Sequence, residues 1–358
     1  MTETLPIPTW GLQFKPSVAR FARLLDELGM ADRFRWLETQ MYGAEGLLEL
    51  AHSRKYLELL RRVTTEDSEV VREQDTPLNR RTVLEAEQTV WQAVSAAHWA
   101  WREKQTTLVL GGGFHHARPS REAGFCILNG LAVAALDLLE NHGVERIAIL
   151  DTDAHAGDGT AEILAEDPRV LKISIHQDPR TLYPRWGEPR QAGHGAGEGC
   201  TVNIPLAKGA GWNEFCSALV RVAWSTIAEF NPQILFRTGG ADMHRSDPLS
   251  DLTLNNCDFH GLGRWIRYLC DEAGLLSVEF LASGYNEYVQ ASSWLAYLDG
   301  RFGLGLGDTA FEDFALEHRK WRNRTAALEQ TFLELRKALG WKWECLRELS
   351  LEAESKSA

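Results

Sequence analysis

From residue 106 the chain alternates short apolar runs with helical stretches, and this alternation constrains its fold more than any other feature. TTLVL at 106–110 precedes a helical stretch near 126–141, and RIAIL at 146–150 precedes a short one near 159–166. VLKISI at 170–175 runs into a long loop, followed by a helical stretch near 212–230. ILFRTG at 234–239, another helical stretch near 257–273 and LLSVEFL at 275–281 complete the series. Continuous apolar strands separated by helices belong to a parallel sheet that is covered on both sides. The expected fold is therefore α/β, with a single open, mostly parallel sheet and helices on both faces.

Before this region, residues 16–103 carry helical periodicity. FARLLDELG, AHSRKYLELLRR and RRTVLEAEQTVWQAVSAAHWAW repeat apolar residues at i, i+3 and i+4, while TTEDSEVVREQDTP between the last two reads as a loop. After it, the tail from 312 is charged and amphipathic, with Leu328, Phe332, Leu335, Leu339 and Leu346 on one stripe. That stripe is expected to pack on its own domain in preference to forming a dimer helix. The chain thus divides into residues 1–310, helical to 103 and sheet-forming from 104, and a C-terminal helical extension at 311–358. Glycine-rich GHGAGEG at 193–199 lacks the GK[ST] of a phosphate loop and is expected to be a mobile surface loop.

At 358 residues the chain can bury a sizeable core, and its 44% hydrophobic content is ordinary for a soluble domain. A net charge of −12 argues against nucleic acid as a partner and suits cationic substrates such as lysine side chains or polyamines. No run reaches the length of a membrane helix. CILNGLAVAALDLL, the most apolar segment, is cut by Asp137 and reads as a buried helix. No secretory signal is evident, and six cysteines without a CxxC pair favour reduced thiols; a cytoplasmic location is expected.

In an open parallel sheet, ligands bind outside the carboxyl ends of the strands. TTLVL delivers GGGFHHA, with His115 and His116 side by side, and RIAIL delivers DTDAHAGDGT. VLKISI ends in Ser174-Ile175-His176-Gln177, ILFRTGG leads to Asp242, and VEFLAS to Gly284-Tyr285-Asn286. Along an extended segment alternate residues face one side, so Asp151, Asp153 and His155 can converge. Alone, D-x-D-x-H is as compatible with surface carboxylates and a satisfied core histidine as with a metal. Asp242 changes that balance, because it reaches the same end of the sheet from another strand after the small residues TGGA. Two carboxylates and one imidazole leave an open coordination position, as in catalytic zinc sites, although ferrous iron suits the same donors. Such an ion would acidify a water and polarise a carbonyl. The two histidines could then move protons if carboxylates orient them, with Asp151 and Asp158 free to do so. Tyr285 is the candidate donor to an oxyanion.

These residues resemble the histone deacetylase-like amidohydrolases of the arginase–deacetylase superfamily, with a slight leaning to the class IV-like and bacterial branches. The resemblance covers roughly residues 50 to 310. It rests on GGGFHHA, GFCILNG at 124–130, DTDAHAGDGT, SIHQ, LYP and VNIPL at 182–206, GADMHRSDPLSDLTL at 240–254, and GYN at 284–286. It implies zinc held by Asp153, His155 and Asp242, with His116 as general base and acid and His115 as its electrostatic partner. Asp158 and Asp151 would orient them, and Tyr285 would stabilise the oxyanion. Gly124, Phe125 and Tyr183 would wall the acyl-lysine channel, and Asp75 would grip the substrate backbone from a rim loop. A structural potassium would use Asp151, Ser174 and the carbonyls of Asp153, His155 and Ile175.

Departures from the family pattern are expected to matter. Arg185-Trp186-Gly187 replaces glycine-threonine-glycine and would add bulk and charge near the channel rim. Ala282-Ser283 replaces glycines before the tyrosine and would be strained if that turn needs positive φ. The expected reaction is zinc-dependent hydrolysis of acyl-lysine amides, with acylated polyamines as the alternative substrate. A dimanganese ureohydrolase would carry a second carboxylate where the chain has Met243-His244. A silent acyl-lysine-binding protein is the remaining reading. Acyl-chain preference and homo-oligomerisation are left open.

Overall fold

Residues 3–6, 15–37, 39, 45–306 and 322–349 are described in the computed structural model. Strand β1 (Glu3–Pro6), helix α1 (Lys15–Glu27), strand β2 (Phe34–Leu37) and helices α2 (Glu45–Glu49), α3 (Arg54–Thr65) and α4 (Arg80–Glu103) come first. Then follow β3 (Thr107–Leu110), α5 (Gly130–Asn141), β4 (Ile147–Asp151), α6 (Asp158–Ile163), β5 (Val170–Gln177) and β6 (Thr201–Leu206). One long helix comprises α7 (Trp212–Ala218), a π-helical stretch at Leu219–Trp224, and α8 (Ser225–Phe230). β7 (Ile234–Gly239), α9 (Asn256–Ala273), β8 (Leu276–Leu281), α10 (Gln290–Phe302), α11 (Arg322–Leu339) and α12 (Glu344–Arg347) complete the described elements.

The strands form one sheet in the order β2-β1-β3-β8-β7-β4-β5-β6, with every pairing parallel. Side chains alternate between two cores, as the strand period requires. Leu108 and Leu110 of β3, with Ala148 and Leu150 of β4, enter one core; Val109, Ile147 and Ile149 enter the other. α3, α4 and α5 cover the second core, and α1, α7–α8, α9, α10 and α11 the first. Burial on both faces explains why β4, β5 and β7 read as continuous apolar runs.

The sheet is longer than the sequence predicts. β1 and β2 extend it from the segment expected to be helical, and β6 forms the opposite edge. Pro205 lies in β6, where an edge position leaves its missing N–H without a ladder bond to break. α11 packs against that edge, and the Thr331 hydroxyl donates to the Pro205 carbonyl at 3.0 Å. Leu328, Phe332, Leu335, Leu339 and Leu346 are all buried in the core that the sheet also forms. Residues 307–321 and 350–358 of the expected extension lie outside the described residues.

The glycine-rich loop at 193–199 is tied down, contrary to expectation. Trp343 Nε1 donates to the Gly199 carbonyl at 2.8 Å and Lys342 Nζ to that of Glu198 at 3.0 Å. No described helix is long and apolar enough to cross a membrane.

Candidate active site

The five strands whose ends carry the predicted chemistry are consecutive neighbours in the sheet: β3, β8, β7, β4 and β5. β4 lies between β7 and β5, with Asp151 in register with Thr238 on one side and Ser174 on the other. Segments leaving β4 and β7 at the same level therefore meet above the sheet.

There, ligand atoms of Asp153, His155 and Asp242 all lie within 4.8 Å of one another, and all three residues are buried. His155 Nδ1 stands 3.0 Å from Asp153 Oδ1 and 3.1 Å from Asp242 Oδ2. The Ala154 N–H donates to Asp242 Oδ1 at 3.2 Å, and the Ser283 hydroxyl donates to Asp153 Oδ2. Close approach of β7 and β8 needs Gly240, where a Cβ would stand 2.0 Å from the Ser283 carbonyl oxygen. Burial, and then the charge of Asp153, push the Asp242 carboxyl well above its usual range. Two carboxylates buried together are costly without a cation, and a divalent ion fits this donor set. His244 does not join it: its ring stacks on Phe259 at 6.4 Å. Among the described residues, the donor group at this end of the sheet has only these three members.

Each of the paired histidines has its own carboxylate. His115 Nδ1 lies 2.7 Å from Asp151 Oδ2, and His116 Nδ1 lies 2.6 Å from Asp158 Oδ1. Their rings are 4.0 Å apart. Burial disfavours a charged His115, but Asp151 and Asp153 outweigh it and lift its pKa to about 9. Burial and the neighbouring charge of His115 hold His116 at about 4, against the pull of Asp158. The pair is thus polarised, with His115 cationic and His116 neutral at pH 7.

His115, His116, Gly124, Phe125, Asp153 and Tyr285 line one narrow cavity of about 20 Å³, together with Phe114, Cys126, Thr238, Ala282 and Ser283. The Tyr285 ring lies 6.5 Å from that of His155 and 5.8 Å from that of Phe125. Its backbone N–H donates to Asp247 Oδ2 at 2.7 Å. Neither Ala282 nor Ser283 adopts positive φ; Gly284 takes that conformation at +128°. The expected strain is absent from the turn.

Tyr183 meets His116 edge-on at 5.0 Å, beside Gly124. Asp75 stands one step back from the cavity. Its carboxylate accepts from Thr76 Oγ1 at 2.7 Å, and that oxygen accepts the Phe125 N–H at 2.8 Å. Arg185 is exposed and turns back to the Arg180 carbonyl, while Trp186 is half-buried. Ser174 Oγ lies 2.8 Å from His176 Nδ1, next to Ile175 on β5.

Sequence reasoning missed several supports. Arg118 pairs with both Asp158 and Glu162, bracing the carboxylate behind His116. Ser283, Thr76 and Asp247 were likewise unforeseen. Arg118 alone left a signal, two residues beyond the histidine pair.

A family model described as the histone deacetylase domain matches residues 14–301. The chain belongs to the histone deacetylase family. It is 36% identical over 239 residues to a probable deacetylase from Archaeoglobus fulgidus, a match covering 65% of this chain and 66% of that one. Its fold is similar to the crystal structure of the HDA15 HD domain, with a TM-score of 0.82 at 21% identity over 100% of this chain and 99% of that one. An acetylpolyamine aminohydrolase from Burkholderia pseudomallei aligns with a TM-score of 0.71 at 28% identity, covering 81% of this chain and 91% of that one. The single parallel sheet with helices on both faces is the fold these structures share with it.

Proposed function

We propose that this deacetylase-family chain hydrolyses the amide bond of acyl-lysine side chains in a metal-dependent reaction, with zinc as the ion. The observation that carries the reading is the convergence of Asp153, His155 and Asp242 beside two separate His–Asp pairs in one cavity. Asp153, His155 and Asp242 would hold the ion, which when bound would supply the Lewis acidity that acidifies a water and polarises a carbonyl.

The protein's own groups do the rest. His116, neutral at pH 7, accepts the proton of the attacking water and returns it to the leaving amine. Asp158 accepts the Nδ1–H of His116 and fixes its orientation, leaving Nε2 for this exchange. His115, held by Asp151, stands beside the reacting centre as the electrostatic partner of His116. The Tyr285 hydroxyl donates to the developing oxyanion from the opposite wall. Gly124, Phe125 and Tyr183 would flank the entering chain, and Asp75, linked to Phe125 through Thr76, would accept from the substrate backbone. Asp151 and Ser174, with the carbonyls of Asp153, His155 and Ile175, offer the oxygen donors a structural potassium requires.

Acetylated polyamines are the second candidate substrate, favoured by the net charge of −12 and by the acetylpolyamine aminohydrolase among the similar structures. A turnover panel of acyl-lysine peptides with short and long acyl groups, run beside acetylated polyamines, separates the two. Turnover should vanish with chelator and return with zinc. Hydrolysis that survives both chelation and His116→Ala would overturn the proposal.

A further inference from the structure

The described residues contain a second group of three close metal-type donors, far from the first. His98, Asp137 and His142 bring ligand atoms within 4.8 Å of one another. They come from α4, from α5 and from the residue that caps the end of α5. The Nε2 atoms of His98 and His142 both face Asp137 Oδ2, His98 in hydrogen-bond contact and His142 at 3.6 Å. Their rings are 4.1 Å apart.

Asp137 is the carboxylate that interrupts the apolar run GLAVAALDLLEN, and it is 2% exposed. The proposed reaction does not use it. α5 starts beside the histidine pair, where Asn129 Nδ2 donates to the Ala117 carbonyl at 3.2 Å. Twelve helical residues then carry the chain about 18 Å away, towards the amino ends of the strands. Among the described residues, the cluster shares no member with the donor group of the active site.

We propose that His98, Asp137 and His142 form a second divalent-metal site, selective for borderline ions such as zinc. Two imidazoles and one carboxylate are the donors such ions prefer, and three protein ligands leave a position for water. The surroundings hold the donors as a metal site requires. Asn141 Nδ2 donates to Asp137 Oδ1 at 2.8 Å, reserving Oδ2 for the histidines. Trp101 Nε1 donates to the His142 carbonyl at 3.0 Å and fixes the backbone that carries the third ligand. The His142 side chain is 37% exposed, which opens the group to solvent ions. A bound ion would clamp α4 to the end of α5.

The simpler alternative is a hydrogen-bonded tie between two helices that takes no ion. Zinc titration of the metal-stripped full chain against a chromophoric chelator separates the two. The wild type should take two equivalents. His142→Ala, a change at a partly exposed position, should weaken one of them at least tenfold and leave the other. His155→Ala should remove the other and keep the one that depends on His142. Cobalt provides a second readout, because its visible absorption in the His155→Ala protein should disappear on adding His142→Ala. A wild type that takes one equivalent, unchanged by His142→Ala, overturns the proposal. Loss of the His155-dependent equivalent alone would count against the proposed reaction and leave this site intact. A count of two ions per chain would likewise be no evidence for a dinuclear ureohydrolase centre if one of them depends on His142.

Discussion

A Cβ placed on Gly124 would stand 2.5 Å from Cδ2 of His116. The backbone there has φ of +51°, so the loop that walls the cavity presses only a hydrogen atom against the His116 ring. Gly124→Ala should shift the imidazole or push the loop outward. Because small displacements of reacting groups are costly, kcat/KM should fall by about 100-fold while the fold is retained. Steady-state kinetics beside circular dichroism checks this, and a near-wild-type rate would mean that the loop withdraws freely.

The carboxylate behind His116 should matter almost as much as its partners. Asp158→Asn removes the charge that holds the His116 ring, and the expected loss in kcat/KM is about 10- to 100-fold. Arg118→Leu removes the brace on Asp158 and should give a smaller loss in the same direction. Asp158→Asn combined with Arg118→Leu should then cost little more than Asp158→Asn alone, since both act through one ring. Fully additive losses would place Arg118 on a separate task.

Legibility followed length and locality. β4 and DTDAH could be found because an apolar run ends in alternating donors, all within nine residues. Asp242 was found because small residues precede it at a second strand end. β1 and β2 span four residues each, too short for period-two alternation to stand out beside the helix of α1. β6 was obscured by Pro205, which only an edge position explains. Ser283 and Thr76 had no local signature at all. Ser283 meets Asp153 across 130 residues of sequence and Thr76 meets Phe125 across 49, and a lone hydroxyl in a loop says nothing of such a partner. α10 escaped because QASSWLAYLDGRF has weak amphipathicity, being buried on most of its circumference.

Tyr285 should contribute to the rate far more than to binding. Its hydroxyl is proposed to meet charge that develops only in the transition state, so Tyr285→Phe should lower kcat by about 100- to 1,000-fold with KM little changed. Kinetics on an acetyl-lysine peptide tests the split. A rise in KM at constant kcat would reassign Tyr285 to substrate binding, next to Phe125.

α11 should be part of the folding unit. Phe332 is fully buried, with the Arg221 guanidinium 4.6 Å above its ring. Phe332→Ala opens a cavity between α11 and the helix of α7–α8, and the expected loss of stability is about 3–5 kcal/mol. Urea unfolding measures it. A loss below about 1 kcal/mol would show that the helix docks too weakly to belong to the core.

Acid should destabilise the scaffold behind the histidine pair through His52. This ring is buried at 3% exposure, and its two nitrogens serve opposite purposes. Nδ1–H donates to the Arg118 carbonyl at 3.0 Å, while Nε2 accepts the Asn129 N–H at 3.0 Å. Protonation would place a hydrogen where Nε2 must accept. Burial lowers the pKa to about 4, against the smaller opposing effect of the Arg118 carbonyl. The unfolded chain, with an ordinary pKa near 6.5, binds this proton first as the pH falls. Stability from the neutral ring is therefore fully present above about pH 6.5 and is lost progressively down to about 4, a total of roughly 3 kcal/mol. Chemical denaturation of wild type and His52→Gln between pH 7.5 and 4.5 isolates this contribution, taking roughly those limits from the same linkage. The substitution should cost stability at neutral pH and flatten the acid slope, so that the two curves converge as the pH falls. Parallel curves would mean that the folded protein takes up this proton as readily as the unfolded chain, so that the bond from Asn129 to Nε2 does not disfavour it.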